Sequence, residues 1–156
     1  MKPFIRVAEV WQPTQDHTLL EFGAGLFGDS LGFAATSRAM CFGRAEGLPG
    51  EAWDQAHPIL LKQFEGSHFG RISAAKAAGL TCAVALPFFV AGELTSVLVL
   101  FGSDDQASTG TIELWRNDPR ISSDMTLADG YYGGTPAAFE SLSRDTYLPR
   151  GTGLPG

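Results

Sequence analysis

The sequence predicts an α+β fold in which helices pack on an antiparallel sheet. Two apolar runs, residues 81–89 and 93–101, are joined at Ala91-Gly92, which is a strong signal for a β-hairpin. Nineteen glycines and nine prolines among 156 residues favour turns and hairpins over a helical bundle. Helical patterns lie between the extended segments, so we expect helices that cover the sheet.

The first fifty residues begin with a second hairpin. β-Branched and aromatic residues predict strands near residues 6–12 and 18–22, with a turn between them. Ser30 is a candidate N-cap for a helix within residues 29–40. We expect a loop from Gly43 that ends at Pro49-Gly50.

The next fifty residues complete the pattern. We expect one helical turn at residues 51–57, a strand near 58–62, and a helix over 72–78 that ends at Gly79 in the left-handed conformation. Because the final hairpin is almost continuously apolar, both of its faces should be covered.

Composition and charge exclude several classes of protein. Hydrophobic residues make up 44% and charged residues 18%, which is typical of a chain with a packed core. The net charge of −6 argues against nucleic-acid binding. No apolar run reaches the ~18 residues of a membrane helix, and no secretory signal is seen. With two cysteines and no disulfide framework, we expect a cytoplasmic protein with reduced thiols.

The chain repeats itself at a spacing of about 105 residues. Residues 34–50 and 140–156 share seven identities, which are the Ser-Arg pair, an arginine and the run Gly-Leu-Pro-Gly. Upstream, Glu9-Val10-Trp11 aligns with Glu113-Leu114-Trp115. We therefore expect one domain at residues 1–103 and the first half of a second unit at 104–156.

That half-unit predicts strands near 111–116 and 125–132 and a helix over 136–145, without a closing hairpin of its own. Alone it leaves an open sheet edge, which soluble proteins avoid. Four arrangements follow from this. The half-unit packs against the first unit or another chain, or residues 51–156 form a permuted domain. Alternatively, hairpins are exchanged in a strand-swapped dimer, or the 156 residues are part of a longer tandem protein. We favour the last.

The motifs along residues 1–103 resemble those of a GAF domain. The resemblance rests on G-R-A-E-G-L-P-G-E-A-W at 43–53, H-P-I at 57–59, A-A-G-L at 77–80, and the apolar hairpin with Gly92 and residues 96–100. Residues 150–156, R-G-T-G-L-P-G, follow the same pattern.

The resemblance implies a six-stranded antiparallel sheet with a small-molecule pocket on one face. Such domains are sensory or regulatory modules of bacterial signalling proteins, so we expect a non-catalytic module. Its partner would be a small molecule or a neighbouring signalling domain, and we expect a homodimer, with strand swapping as one form. The identity of the ligand or of any cofactor is not implied, and no metal site is predicted.

Nine residues are candidates to line the ligand pocket: Phe42, Arg44, Trp53, Phe64, His68, Phe69, Arg71, Cys82 and Phe88. For the aromatic residues, a place in the ordinary core is the simpler interpretation. For Arg44, we favour an ion pair with Glu46 that holds the loop.

An alternative function is a GAF-fold thiol redox enzyme of the free methionine sulfoxide reductase type, which would use Cys41 or Cys82. That chemistry needs a low-pKa thiolate and a resolving partner. Because Cys41 aligns with Tyr147 in the repeat, buried inert cysteine is favoured. A ligand-free dimerisation module is the third alternative.

Residues 23–28 match the dinucleotide-binding pattern G-x-G-x-x-G. Because the repeat copy lacks the first two glycines, we interpret the run as a twisted hairpin strand with close backbone packing. The three histidines are not at zinc-ligand spacing.

Overall fold

The computed structural model describes residues 2–105, 110–134 and 136–151. The chain forms two compact units, a first unit of residues 1–108 and a second unit of residues 109–156, which are described separately.

The first unit is built on a six-stranded antiparallel sheet. Its strands, with the bounds seen in the structure, are β1 (Ile5–Pro13), β2 (Leu19–Leu26), β3 (Cys41–Gly43), β4 (Ile59–Leu61), β5 (Cys82–Val90) and β6 (Glu93–Gly102). Their order across the sheet is β3-β2-β1-β6-β5-β4. The predicted α+β class and the predicted strands of this unit are confirmed, while β3 was not predicted.

Three helices accompany this sheet: α1 (Leu31–Arg38), α2 (Gly47–Gln55) and α3 (Ile72–Ala77). The core lies on one face of the sheet, where Trp11, Leu20, Val99 and Phe101 are buried together with Phe33 of α1. Alternation along β1 places Val7, Glu9 and Trp11 on that face. Glu9 therefore places a carboxylate in the core.

The hairpin of β5 and β6 turns at Ala91-Gly92, as predicted. Both residues have positive φ, 52° and 85°, which suits the tight two-residue turns that match the twist of a hairpin. The expectation that both faces are covered fails at the tip, where Phe88, Phe89 and Val90 are 48%, 38% and 66% exposed. Among the described residues, β4 pairs only with residues 83–85 of β5, so the outer edge of β5 is open beyond them.

The predicted loop at residues 43–50 is wrong in its second half, because α2 begins at Gly47 rather than at residue 51. Pro49 is compatible with this start, since its missing N–H falls in the first turn, where backbone donors have no intrahelical partner. Gly50 packs so tightly that a Cβ there would overlap the carbonyl oxygen of Gly43. The helix start therefore depends on close backbone contact, which hydrophobic periodicity does not report.

Two predicted helix ends have different outcomes. Gly79 follows α3 with φ +67°, and its N–H donates to the carbonyl of Lys76, as a left-handed helix terminator should. Ser30 occupies the N-cap position of α1, but its side chain makes no capping hydrogen bond.

The glycine run at residues 23–28 belongs to the hairpin of β1 and β2, as the packing interpretation predicted. A register shift between Val10 and Trp11 places the extra residue, Gly23, in β2. A Cβ at Gly23 or Gly25 would lie 2.8 Å from Gln12 or 2.6 Å from Phe27, respectively. Both glycines therefore pack closely against neighbouring side chains.

The second unit contains β7 (Gly110–Arg116), β8 (Met125–Gly133), α4 (Ala137–Arg144) and β9 (Tyr147–Leu148), with sheet order β7-β8-β9. This is the element order of β1, β2, α1 and β3. The register also corresponds: the β7–β8 pairing shifts between Leu114 and Trp115, at the position of Val10 and Trp11. The predicted strands and helix are present, and the repeated Gly-Leu-Pro-Gly at 153–156 lies outside the described residues.

Among the described residues, no helix has the length and apolar character needed to cross a membrane.

Two glycine substitutions test the packing of α2. Gly50→Ala should lower the melting temperature markedly or prevent folding, because the new methyl group meets backbone that cannot rotate away. Gly32→Ala, in α1 with open space around it, is the matched control and should raise the free energy of unfolding by about 0.5 kcal/mol. Chemical denaturation of both variants measures the difference. Equal stability of the two would contradict the close approach at Gly50.

Candidate functional site

A charged cluster lies at the centre of the first unit, between the sheet and the helices. Glu9 lies on β1 and Ser37 lies on α1, and Arg71 is the residue that immediately precedes α3. Glu9 and Ser37 are fully buried, and Arg71 is 2% exposed. Three separate parts of the chain therefore meet at one buried ion pair.

The Arg71 guanidinium makes a bidentate contact with the Glu9 carboxylate through both of its terminal nitrogens. Nη1 donates to Oε1 at 2.7 Å and Nη2 donates to Oε2 at 3.0 Å. The Ser37 hydroxyl donates to Oε1 at 2.5 Å and accepts from Arg71 Nη1 at 2.6 Å. Trp11 Nε1 donates to Oε2 at 3.0 Å. Each carboxylate oxygen thus accepts two hydrogen bonds, which compensates much of the cost of burying the charge.

Aromatic rings surround the guanidinium. Its central carbon lies 4.8–5.6 Å from five ring centroids, which belong to Phe33, Phe69, Phe101, Trp11 and Phe42. Within about 6 Å of a ring, a cation is attracted by the negative face of the π system. The cluster is therefore a carboxylate and a ring of aromatic side chains that together accommodate a planar cation. Arg71 Nε has no hydrogen-bond partner among the described residues.

Four of the nine predicted pocket residues lie in this core. Phe42, Phe69 and Arg71 form part of the cluster, and Phe64 stacks on Phe69 at 4.7 Å between ring centroids. All four are at least 96% buried. The segment between β4 and α3 supplies Phe64, Phe69 and Arg71, so this stretch closes the core from one side.

Three other predicted residues lie around α2, nearer the surface. Arg44 pairs with Asp54 at 2.9 Å, and its guanidinium carbon lies 5.9 Å from the ring centroid of Trp53. The predicted Arg44–Glu46 ion pair is wrong, because Glu46 instead accepts the backbone N–H of Gly43 at 2.8 Å. The His68 side chain is 92% exposed, with Nδ1 3.4 Å from Glu51.

The last two predicted residues, Cys82 and Phe88, are on β5. Cys82 pairs with Gly102, and a Cβ on Gly102 would meet its sulfur, which places Cys82 on the face opposite to Phe101 and the core. Phe88 is at the exposed hairpin tip.

The two cysteines are far apart in the sheet. Cys82 on β5 is buried, but Cys41 on β3 is exposed, so the expectation of a buried cysteine is wrong at that position. The strands β2, β1 and β6 lie between the two. Four strand spacings amount to about 19 Å. A disulfide needs Cα atoms within about 7 Å, so these thiols cannot pair with each other in this fold.

Sequence reasoning missed Glu9, Ser37, Trp11 and Phe33 as members of the cluster. The signal that identifies them is the internal repeat, because Glu113, Ser143, Trp115 and Phe139 occupy the equivalent positions. The repeat alone does not show that these identities meet in one buried site.

Solved structures with the same fold identify the class of this architecture. The GAF domain of A. aeolicus nlh2 matches with a TM-score of 0.50 and 16% identity, over 66% of this chain and 60% of that one. The GAF domain of a phosphoenolpyruvate-protein phosphotransferase (ptsP) from Coxiella burnetii matches with a TM-score of 0.51 and 16% identity, over 63% and 56%.

The free methionine-R-sulfoxide reductase from Neisseria meningitidis, solved with its substrate, also matches, with a TM-score of 0.50 and 11% identity over 63% of this chain and 52% of that one. Each match spans less than two thirds of the solved chain. No protein-family profile and no curated protein sequence matches the chain. The six-stranded sheet and helices of the first unit have the fold of a GAF domain.

The buried ion pair predicts a large and coupled effect on stability. Glu9→Gln or Arg71→Met alone should each lower the free energy of unfolding by about 3–5 kcal/mol, because each leaves an uncompensated buried charge. The double variant should lose much less than the sum of the two. Urea denaturation of the four proteins gives the coupling energy. Additive losses would show that the two side chains do not form a pair.

Proposed function

We propose that the first unit is a sensory or regulatory module that responds to a small cationic molecule and catalyses no reaction. Its fold supports this class, since it is shared with GAF domains of nlh2 and ptsP. The observation that carries the proposal is the Glu9 carboxylate beneath a ring of aromatic side chains, with Arg71 held in it. Aromatic rings arranged around a carboxylate are a favourable site for an organic cation.

Arg71 acts as an internal occupant of that site. Its side chain belongs to the segment between β4 and α3, so a guanidinium or ammonium group that replaces it on Glu9 also releases that segment from the core. Binding then shifts the population between a closed and an open form. The size of the shift is set by how much better the ligand binds the open form.

Chemical rescue tests the site directly. Arg71→Ala should be strongly destabilised, and millimolar methylguanidinium should raise its melting temperature, because the added cation restores the contacts with Glu9 and the rings. Methylurea, a neutral planar analogue, serves as the control and should have no such effect. Equal responses to both compounds, or none to either, would overturn the assignment of a cation site.

The unchanged protein supplies the second part of the test. Alkylguanidinium compounds should speed amide hydrogen exchange in residues 62–71 while leaving β1 protected. An Arg71→Lys variant should respond at lower ligand concentration, because an ammonium group cannot make the bidentate contact of a guanidinium. If exchange in residues 62–71 never responds, the closed form is permanent and the unit is not a sensor of cations.

The thiol-enzyme alternative has one supporting observation, the fold match to the methionine-R-sulfoxide reductase. The separation of Cys41 and Cys82 argues against a mechanism in which one resolves the other. The variant Cys41→Ser with Cys82→Ala should therefore keep the stability response to alkylguanidinium compounds. Turnover of free methionine sulfoxide by the unchanged chain, lost in this variant, would instead establish the enzyme.

A further inference from the structure

The second unit repeats the half of the first unit that carries the carboxylate. Trp115 Nε1 donates to Glu113 Oε2 at 2.9 Å, as Trp11 Nε1 donates to Glu9 Oε2 at 3.0 Å. The strand registers also agree, because Leu20 and Glu21 pair with Phe42 and Cys41 as Met125 and Thr126 pair with Leu148 and Tyr147. The two units therefore contain the same half of a core, with the same strand registers and the same Trp–Glu hydrogen bond.

The two units differ in how deeply the equivalent side chains are buried. Phe33 is 1% exposed in the first unit, whereas its equivalent, Phe139, is 45% exposed. Glu9 is fully buried, whereas Glu113 is only partly buried. In the first unit β6 pairs with β1, but β7 is an end strand of the sheet that the described residues form. The surface made by β7 and the apolar side of α4 is therefore the counterpart of a buried interface.

Among the residues that the structure describes, Glu113 has no counterpart of the Arg71 cation that pairs with Glu9. It accepts hydrogen bonds from Trp115 and, at 3.1 Å, from the Tyr132 hydroxyl, and no Lys or Arg side chain of the described residues pairs with it. Burial, and then the neighbouring Glu113 carboxylate, raise the pKa of Tyr132. The local charge is therefore negative at the place where the first unit holds Arg71.

We propose that the surface of β7 and α4 docks a polypeptide segment that adds an antiparallel strand to β7 and brings an arginine side chain onto Glu113. The segment has the chemistry of residues 59–102 in the first unit and comes from outside residues 1–156. In the first unit Val99 pairs with Glu9 and Val97 with Trp11 in the sheet register. The docked strand accordingly needs apolar residues opposite Glu113 and Trp115.

A second copy of this chain is a poorer occupant. Symmetric pairing of two β7 strands would bring two Glu113 carboxylates close together without a cation, which is repulsive. The segment 59–102 of another copy already covers its own β1, and Arg71 is already engaged with Glu9. Charge complementarity and occupancy therefore both favour a separate segment.

The test extends the full chain. Gly153-Leu154-Pro155-Gly156 repeats Gly47-Leu48-Pro49-Gly50, so a second copy of residues 51–105 attached after Gly156 continues the motif in phase. Hydrogen exchange followed by mass spectrometry distinguishes peptides of β7 from those of β1. In the extended chain, amide exchange of β7 should slow by at least about tenfold relative to the 156-residue chain. Protection of β1 reports that the first unit remains folded.

Two substitutions separate docking of the arginine from general collapse. Glu113→Gln, or Arg71→Met in the added copy alone, should restore most of the faster β7 exchange seen in the 156-residue chain. Glu140→Gln, which removes an exposed partner of Arg144, is the control and should leave β7 protected. The proposal is overturned if the extension leaves β7 exchange unchanged, or if protection survives both core substitutions. It is also overturned if the 156-residue chain already shows concentration-dependent protection of β7, since a second copy then covers it.

Discussion

The ion pair between Glu9 and Arg71 is the interaction on which the rest of the first unit depends. A carboxylate in an apolar core is tolerated only when it is paired and hydrogen-bonded, so the positions of its partners are strictly limited. Ser37 and Trp11 complete the hydrogen bonds, and the aromatic rings occupy the space above and around the guanidinium. Pairing this buried charge constrains how α1 packs on the sheet. It also constrains how the segment before α3 packs on α1 and on the sheet.

The same pair divides the fold into two complementary halves. The first half, from β1 to β3, supplies the carboxylate, and the second half, from β4 to β6, supplies the arginine and the strand that covers β1. The two residues are 62 positions apart, so the contact forms only when distant parts of the chain have come together. Neither half satisfies its own buried charge. Because the carboxylate belongs to one half and the arginine to the other, association of either half with a purely apolar partner is disfavoured. Such a partner would bury an ion without its counter-ion.

Local signals in the sequence were sufficient for most of the secondary structure. The turn at Ala91-Gly92, the end of α3 at Gly79 and the strands rich in β-branched and apolar residues all follow from short-range chemistry that a few residues express. The start of α2 was not predicted, because it depends on close contact between Gly50 and the backbone of Gly43. Hydrophobic periodicity does not report such a contact. The buried site was found only in part. Arg71 was identified as a candidate, but its partner Glu9 is 62 positions away along the chain, and nothing local connects the two.

The open outer edge of β5 has a consequence for the behaviour of the protein in concentrated solution. Beyond its pairing with β4, this strand exposes two phenylalanines and a valine. No strand of the described part of the chain pairs with its outer edge there, and such an edge is a common starting point for edge-to-edge aggregation. Pro87 stands at the beginning of that stretch and has no N–H to offer to an incoming strand. Because Pro87 offers no donor there, an incoming strand gains one hydrogen bond fewer along this edge, and edge-to-edge pairing through the hairpin is weakened.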